Sequence, residues 1–172
     1  MNRILVLFQV NMKLKLFVLF VFFSALAMAL PEDSEQPIEV EAESVLIDES
    51  TGFNEFSGNA EVRQGSLLLL AALIQVQTKN EEVVSVIAKG SLEKPAEYSQ
   101  DQENQERFIE ATATLIKYDV NKGMIFLVGK AHLVQGFDSF SGDTLDYDID
   151  NNKVVVKGSE DGTERVKFKI SL

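Results

Sequence analysis

The feature that most constrains this chain is a strict alternation of apolar and polar side chains in short runs. Residues 38–43 alternate an apolar side chain with glutamate, and residues 165–172 alternate a polar or basic side chain with an apolar one. Successive side chains of a β-strand point to opposite faces, so a period of two predicts strands with one buried and one wet face. After residue 30 no segment shows the 3.6 period of a long helix. The chain is therefore predicted to be all-β.

One strand pattern recurs along the chain. A shift of 29 residues superposes residues 113–120 on 142–149, a shift of 71 superposes residues 42–48 on 113–119, and a weaker copy runs from 71 to 90. Each unit reads as strand, tight turn, strand, glycine and short strand. The recurring glycines are Gly58, Gly129 and Gly158. Because glycine inside a strand marks a bulge or a sharp bend, every unit should bend at the same corner.

Repeated bends predict two facing sheets, or one sheet folded into a trough, with the units stacked along one axis. Side chains of one parity would then line the space between the sheets. The predicted lining is Val45, Ile47, Phe56, Val62, Ile74, Val76, Ile116, Tyr118, Ile125, Leu127, Leu133, Leu145, Tyr147 and Ile149. From the residues alone, the alternative is an ordinary sandwich core without a ligand, since most apolar stripes are core.

Two segments are predicted to be edge strands, residues 38–47 and residues 164–172. An edge strand presents unpaired N–H and C=O groups to which another strand can be added. The predicted docking side chains are Ile38, Val40, Val166, Phe168 and Ile170. Docking of one end of a copy on the opposite end of the next copy is a heterologous contact, which can be repeated to form a longer assembly. Head-to-tail self-association is therefore predicted.

Residues 1–29 have the layout of a cleaved secretory signal. Lys13 and Lys15 precede the apolar run 16–25, and Ala27 and Ala29 are the small residues of a cleavage site. The alternative is an uncleaved membrane anchor, since the apolar stretch is close to the length that spans a bilayer. Met12 is a second candidate for the translation start, because a complete signal begins there. Residues 30–36 are predicted to be flexible and residues 37–172 to form a single domain.

The exported part of the chain is strongly acidic. The sequence has 27 acidic and 16 basic side chains, a net charge of −11, and removal of residues 1–29 takes away three bases and no acid, which leaves −14. Such a charge argues against binding to nucleic acid. The absence of cysteine excludes thiol catalysis and cysteine-based zinc sites. The polar stretch 99–107 predicts a long exposed hairpin loop.

The chain is predicted not to be an enzyme and to need no cofactor or metal. His132 is the single histidine and points outward by parity, so a hydrolase triad with a serine such as Ser139 is the least favoured alternative. Asp143, Asp146, Asp148 and Asp150 could suggest a calcium site, but their alternation on strands, without the glycine pattern of a calcium loop, is more typical of a solvated face.

Four motifs in one order resemble the LptA/OstA-like family. They are Phe56–Gly65, Pro95–Tyr98 after Gly90, Ala113–Tyr118 followed by Leu127–Leu133, and Gly142–Tyr147. The resemblance covers about residues 36–158. The sequence departs from the family at Ala71-Ala72, where the family usually carries Ala-Asp. The register of the strand Leu67–Leu73 therefore stays open.

The resemblance implies an OstA-like open β-jellyroll in the periplasm, with a hydrophobic groove that shelters the acyl chains of lipopolysaccharide. It also implies end-to-end docking with an LptC-like inner-membrane protein, an LptD-like outer-membrane protein and further copies of itself. The cleavage site favours a soluble member. Arg63, Lys117 and Lys130 are candidates for contact with the headgroup, or ordinary surface charges. The alternative function is a periplasmic scaffold that binds only protein partners.

Overall fold

The computed structural model describes residues 36–80, 82–101, 108–149, 151 and 153–170. The predicted signal peptide, nearly all of the predicted flexible segment, most of the predicted polar loop and Leu172 lie outside these residues. The described part contains twelve strands: β1 (Ile38–Glu41), β2 (Ser44–Asp48), β3 (Phe53–Gln64), β4 (Leu67–Lys79), β5 (Glu82–Lys89), β6 (Ala96–Asp101), β7 (Phe108–Ala113), β8 (Leu115–Asp119), β9 (Met124–Gln135), β10 (Asp138–Asp148), β11 (Lys153–Lys157) and β12 (Lys167–Lys169). A short 3-10 helix, Val120–Lys122, joins β8 to β9.

All twelve strands belong to one antiparallel sheet that is folded into two layers. Four long strands, β3, β4, β9 and β10, cross from one layer to the other. The first layer contains β2, β5, β8 and β11 together with one half of each long strand. The second layer contains β1, β6, β7 and β12 together with the other half of each long strand. The predicted all-β folded trough is confirmed.

The line along which the sheet folds, here called the crease, runs through Gly58 and Gly129. The third recurring glycine, Gly158, follows the end of β11 and takes no positive φ, so the predicted bend is absent there. Gly58 and Gly129 take φ angles of 79° and 78°, in the left-handed region that favours glycine. The N–H of Glu43 donates to the carbonyl of Gly58 at 3.1 Å, and the N–H of Thr114 donates to that of Gly129 at 3.0 Å. Equivalent bends of the repeated units thus lie at the same place in the sheet, so both layers turn along one line.

The inward side chains next to the crease are all small. They are Ala60, Ala71, Ala96, Ala113, Ala131 and Gly142, and all are buried. Neighbouring strands pair these residues directly, as Ala60 with Ala71 and Ala131 with Gly142. Because none of these side chains extends beyond Cβ, the two layers can approach closely here. The crease is therefore the closed side of the trough.

The structure settles the register of β4. Leu67, Leu69 and Ala71 are buried, and after the exposed Ala72 the next buried residue is Ile74. The pairing of β3 with β4 shifts at this point, between Ser57 and Ala60, so that two residues of β3 oppose one of β4. A bulge of this kind changes which parity points inward.

The polar hairpin loop begins later than the sequence suggests. Ser99, Gln100 and Asp101 continue β6 and pair with Glu110, Ile109 and Phe108 of β7. The prediction of a loop from residue 99 is wrong for these three residues, because backbone pairing does not require apolar side chains and Gln100 turns inward. The rest of that segment, residues 102–107, lies outside the described part.

The loop between β11 and β12 is organised by the carboxylate of Asp161. It accepts hydrogen bonds from the hydroxyls of Ser159 at 2.6 Å and Thr163 at 2.7 Å, and from the N–H of Thr163 at 3.0 Å. These bonds, with that of Ser159 the largest contribution, lower the pKa of Asp161 from 3.8 to about 2.

Since the carboxyl of Asp161 has a lower pKa when folded, its contribution to stability is complete above pH 3.8 and is lost as the pH falls through about 2. We expect a carboxyl-carbon NMR titration of Asp161 to give a midpoint pH of about 2. Ser159→Ala should move that midpoint upward. An identical midpoint in Ser159→Ala would show that the hydroxyl of Ser159 does not lower the pKa.

Candidate functional site

The inner face of the first layer consists of two rows of side chains that cross all its strands. Directly paired residues of antiparallel strands point to the same face, so the pairing defines each row. One row is Val45, Phe56, Ile74, Ala88, Ile116, Leu127, Leu145 and Val156. The other is Ile47, Asn54, Val76, Val86, Tyr118, Ile125, Tyr147 and Val154. Apart from Asn54 and the two tyrosine hydroxyls, this face is hydrocarbon.

The second layer presents a matching inner face. Next to the row of small residues at the crease comes a row whose members, apart from Ala111, are larger: Val40, Val62, Leu69, Tyr98, Ala111, Leu133, Phe140 and Phe168. Buried members of both layers belong to one continuous apolar cluster. The two inner faces therefore pack against each other and enclose the interior of the molecule.

The structure places the predicted lining residues on these inner faces. Twelve of them belong to the apolar cluster: Phe56, Val62, Ile74, Val76, Ile116, Tyr118, Ile125, Leu127, Leu133, Leu145, Tyr147 and Ile149. Val45 and Ile47 lie in the same rows but are 52% and 56% exposed. They are exposed because β2 pairs only with β3 and is the last strand of its layer.

The apolar interior reaches solvent at both ends of the sheet. At one end Val40, Val45 and Ile47 are exposed on β1 and β2, and at the other end Phe168 is 70% exposed on β12. Of the other residues predicted for docking, Ile38 is partly buried, whereas Val166 and Ile170 are exposed. Within the described part of the chain no strand pairs beyond β1, β2, β11 or β12. The sequence predicted the edge strands at both ends, except that it missed β11 as a second edge beside β12.

The two ends carry opposite charge. Residues 36–64 contain seven carboxylates and one basic side chain, Arg63, whereas residues 153–170 contain five basic and three acidic side chains, with all four lysines on β11 and β12. On the outer face of the second layer, the row that begins with Glu39 on β1 ends with Lys169 on β12. The adjacent row runs from Glu41 to Lys167 in the same way.

His132 lies on the outer face of the second layer, as its parity predicts. Its Nδ1 is 2.8 Å from the hydroxyl of Ser141, and its strand partners are Ser141 and Thr112. Ser139, the serine considered from the sequence, pairs instead with Val134 and Lys169. No set of three or more histidine, aspartate or glutamate side chains is placed to hold a metal among the residues described. In the same residues, no helix has the length and apolarity needed to cross a membrane.

Comparison with known proteins decides the family. The family model described as "LptA/(LptD N-terminal domain) LPS transport protein" matches residues 39–153, well over half of the chain. The chain belongs to the LptA family. The resemblance seen in the four sequence motifs is thereby confirmed, and these motifs lie on the strands that form the crease and the inner faces of this LptA-family fold.

Two relatives show how far the similarity to the LptA family extends. The lipopolysaccharide export system protein LptH of Pseudomonas aeruginosa is 32% identical over 142 residues, which cover 82% of this chain and 79% of that protein. The lipopolysaccharide export system protein LptA of Escherichia coli K12 is 29% identical over 128 residues, 74% of this chain and 68% of that protein.

A solved LptA-family structure has the same fold. The crystal structure of P. aeruginosa LptH, described as the LptA-homologous periplasmic component of the conserved lipopolysaccharide transport device, superposes with a TM-score of 0.66 and 27% identity. The match covers 83% of this chain and 100% of that chain. The expected open β-jellyroll is thus confirmed.

Proposed function

We propose that this chain carries lipopolysaccharide across the periplasm, from the inner to the outer membrane, with the acyl chains held between its two layers. The observation that carries the proposal is the apolar interior that crosses every strand and continues to exposed Val45 and Ile47 at one end and Phe168 at the other. Membership of a family of lipopolysaccharide transport proteins supports the same assignment. This activity needs no catalytic residue, cofactor or metal.

The interior supplies the physical requirement of such transport. Each methylene group removed from water contributes about 0.8 kcal/mol, so a chain of many methylenes strongly favours an apolar trough over the aqueous compartment. Ile74, Leu127 and Leu145 are completely buried in the interior. Acyl chains that enter would therefore displace side-chain contacts, and we infer that the layers then separate on the side away from the crease.

Docking of successive domains would extend the trough into a bridge. Each layer has eight antiparallel strand segments. Because this number is even, the first strand of a second copy in the same orientation runs antiparallel to the last strand of the first copy when it is placed beside it. Continuing the rows places Glu39 opposite Lys169 and Glu41 opposite Lys167. We propose head-to-tail docking with further copies of this chain, and docking of the two ends of the bridge on an LptC-like inner-membrane protein and an LptD-like outer-membrane protein.

The segment before β1 completes the proposal. We propose that residues 1–29 act as a cleaved signal that directs the chain to the periplasm, ahead of the domain that starts at residue 37. The apolar run with Ala27 and Ala29 at its end supports this assignment.

A photo-crosslinking amino acid placed at neighbouring positions tests the lipid function. Tyr118 is buried on the inner face, whereas the adjacent Lys117 lies on the outer face between Ile87 and Phe126. In cells, we expect the probe at position 118 to capture lipopolysaccharide and the probe at position 117 to capture little or none. Equal capture of lipid at both positions would contradict an interior site. Capture of protein alone at position 118 would favour the scaffold that binds only protein partners.

A further inference from the structure

The inner face of the second layer changes in polarity with distance from the crease. The row at the crease is small and the next row is large and apolar. The third row, two residues further along each strand, includes Gln64, Gln100, Gln135 and Asp138. Strand pairing places Gln64 between Ile38 and Leu67. It places Ile109 between Gln100 and Gln135, and Gln135 in turn pairs with Asp138. This third row lies at the edge of the layer away from the crease, here called the lip of the trough. It is four residues along each strand from the small side chains at the crease, which is about 13 Å at about 3.3 Å per residue.

The glutamines of the third row are turned inward and withdrawn from solvent. Gln64 is 5% exposed and Gln100 is 6% exposed. The amide of Gln64 donates to the carbonyl of Gln36 at 3.2 Å, and the hydroxyl of Tyr98 donates to Oε1 of Gln100 at 2.5 Å. Gln135 is partly buried in the same row. A buried amide is costly without hydrogen bonds, so these glutamines are polar positions, alternating with Ile38, Leu67 and Ile109, on an otherwise apolar face.

The cations considered for headgroup contact lie elsewhere. Arg63 forms an ion pair with Glu61 on the outer face of the second layer. Lys117 lies on the outer face of the first layer, and Lys130 is exposed beside the crease. The polar side chains at the lip of the second layer, which alternate with Ile38, Leu67 and Ile109, are therefore neutral amides and one carboxylate, not the cations that a phosphate group prefers.

A row of amides matches one part of an acylated sugar. A glutamine side chain both donates and accepts hydrogen bonds. The amide and ester linkages that join acyl chains to a sugar offer the same complementary groups, and they lie at the boundary between the apolar chains and the polar sugar. With the chains directed toward the crease, these linkages would lie at the level of the third row.

We propose that Gln64, Gln100 and Gln135 form a glutamine rim that binds the amide and ester linkages of the acylated sugar, so that the chain distinguishes such an amphiphile from a simple fatty acid. This proposal rests on the proposed lipid-carrying function and adds the residues and the chemistry that select the ligand. The phosphate groups stay in solvent beyond the rim.

Binding of two lipids to the full-length chain tests the glutamine rim. The probes are hexa-acylated lipid A, which has the linkages, and palmitate, which has neither sugar nor amide. Gln135→Met removes the amide at nearly constant volume from a partly buried position, and Gln100→Met repeats the change at a buried one. Gln75→Leu is the control, because Gln75 lies on the outer face, where it bonds to Glu55.

We expect Gln135→Met to weaken lipid A binding about fivefold, as loss of one hydrogen bond implies, with palmitate binding unchanged. Gln100→Met should act in the same direction, and Gln75→Leu should bind both lipids like the unchanged chain. Unchanged lipid A binding in both methionine variants, or an equal loss for lipid A and palmitate, overturns the glutamine rim. Failure of the unchanged chain to bind either lipid would instead overturn the lipid-carrying function itself.

Discussion

Replacing Lys167 and Lys169 with glutamate should weaken head-to-tail association about 30-fold. In the proposed docked pair, in which the rows of one copy continue into the next, these lysines of β12 would face Glu41 and Glu39 of the next copy. The change turns two attractive cross-strand pairs into repulsive ones, at about 1 kcal/mol for each, and about 2 kcal/mol corresponds to that factor in the dissociation constant. Sedimentation of the full-length chain over a range of concentrations measures the effect.

The control for this experiment changes the same charge elsewhere. Lys89 and Lys117 lie on the outer face of the first layer, away from both ends of the sheet. A chain with both replaced by glutamate has the same net charge as the end variant and should associate like the unchanged chain. If it associates as weakly as the end variant, overall repulsion and not the pairing of the ends explains the loss.

Restoring the opposite charge provides a second test of the register. A chain with Glu39→Lys and Glu41→Lys should bind the variant with glutamates at positions 167 and 169, although neither associates well with itself. Association of the unchanged chain should also weaken as salt is raised, because exposed charges are screened over about 8–10 Å. Salt-independent association, with no binding between the two variants, would contradict the charged register.

The interior could be predicted from the sequence because it depends on local patterns. Parity along a strand decides which side chains share a face, so Ile116 and Tyr118 could be placed together without any knowledge of their neighbours. Gly58 and Gly129 likewise mark where their units bend, since glycine takes the required φ at low cost, whereas Gly158 takes no positive φ. These two signals are sufficient for the two layers, the crease and most of the lining residues.

Features that depend on pairing between distant strands could not be predicted. The bulge opposite Ala72 changes the inward parity of β4, and the alternation of that strand alone does not show where. The edge position of β11 depends on β12 pairing with the other half of β10, which is a matter of topology.

The glutamine rim was missed for a different reason, since a polar residue in an alternating strand is normally assigned to the wet face. The available signal is parity, because Gln64 shares a face with Val62 and Gln100 shares one with Tyr98.

The largest expected loss of stability comes from adding a single methyl group at the crease. In Gly129→Ala the new Cβ would collide with the side chain of Thr114, whose hydroxyl donates to the carbonyl of Val128 at 2.7 Å. The backbone φ of 78° adds the strain of the left-handed region for any residue with a Cβ. We expect a loss of about 3 kcal/mol in the free energy of unfolding, as the sum of strain and overpacking, measured by urea denaturation.

Gly162→Ala separates the two causes of that loss. Gly162 has a similar φ of 74°, but no atom lies within 4 Å of the position that its Cβ would take. Its replacement should therefore cost only the backbone strain, about 1 kcal/mol. Adding Thr114→Ala to Gly129→Ala should recover part of the loss, because it removes the side chain that the new methyl group meets. If alanine costs the same at both glycines, the close approach of strands at the crease does not contribute to stability, and the recurring glycine is required for its backbone conformation alone.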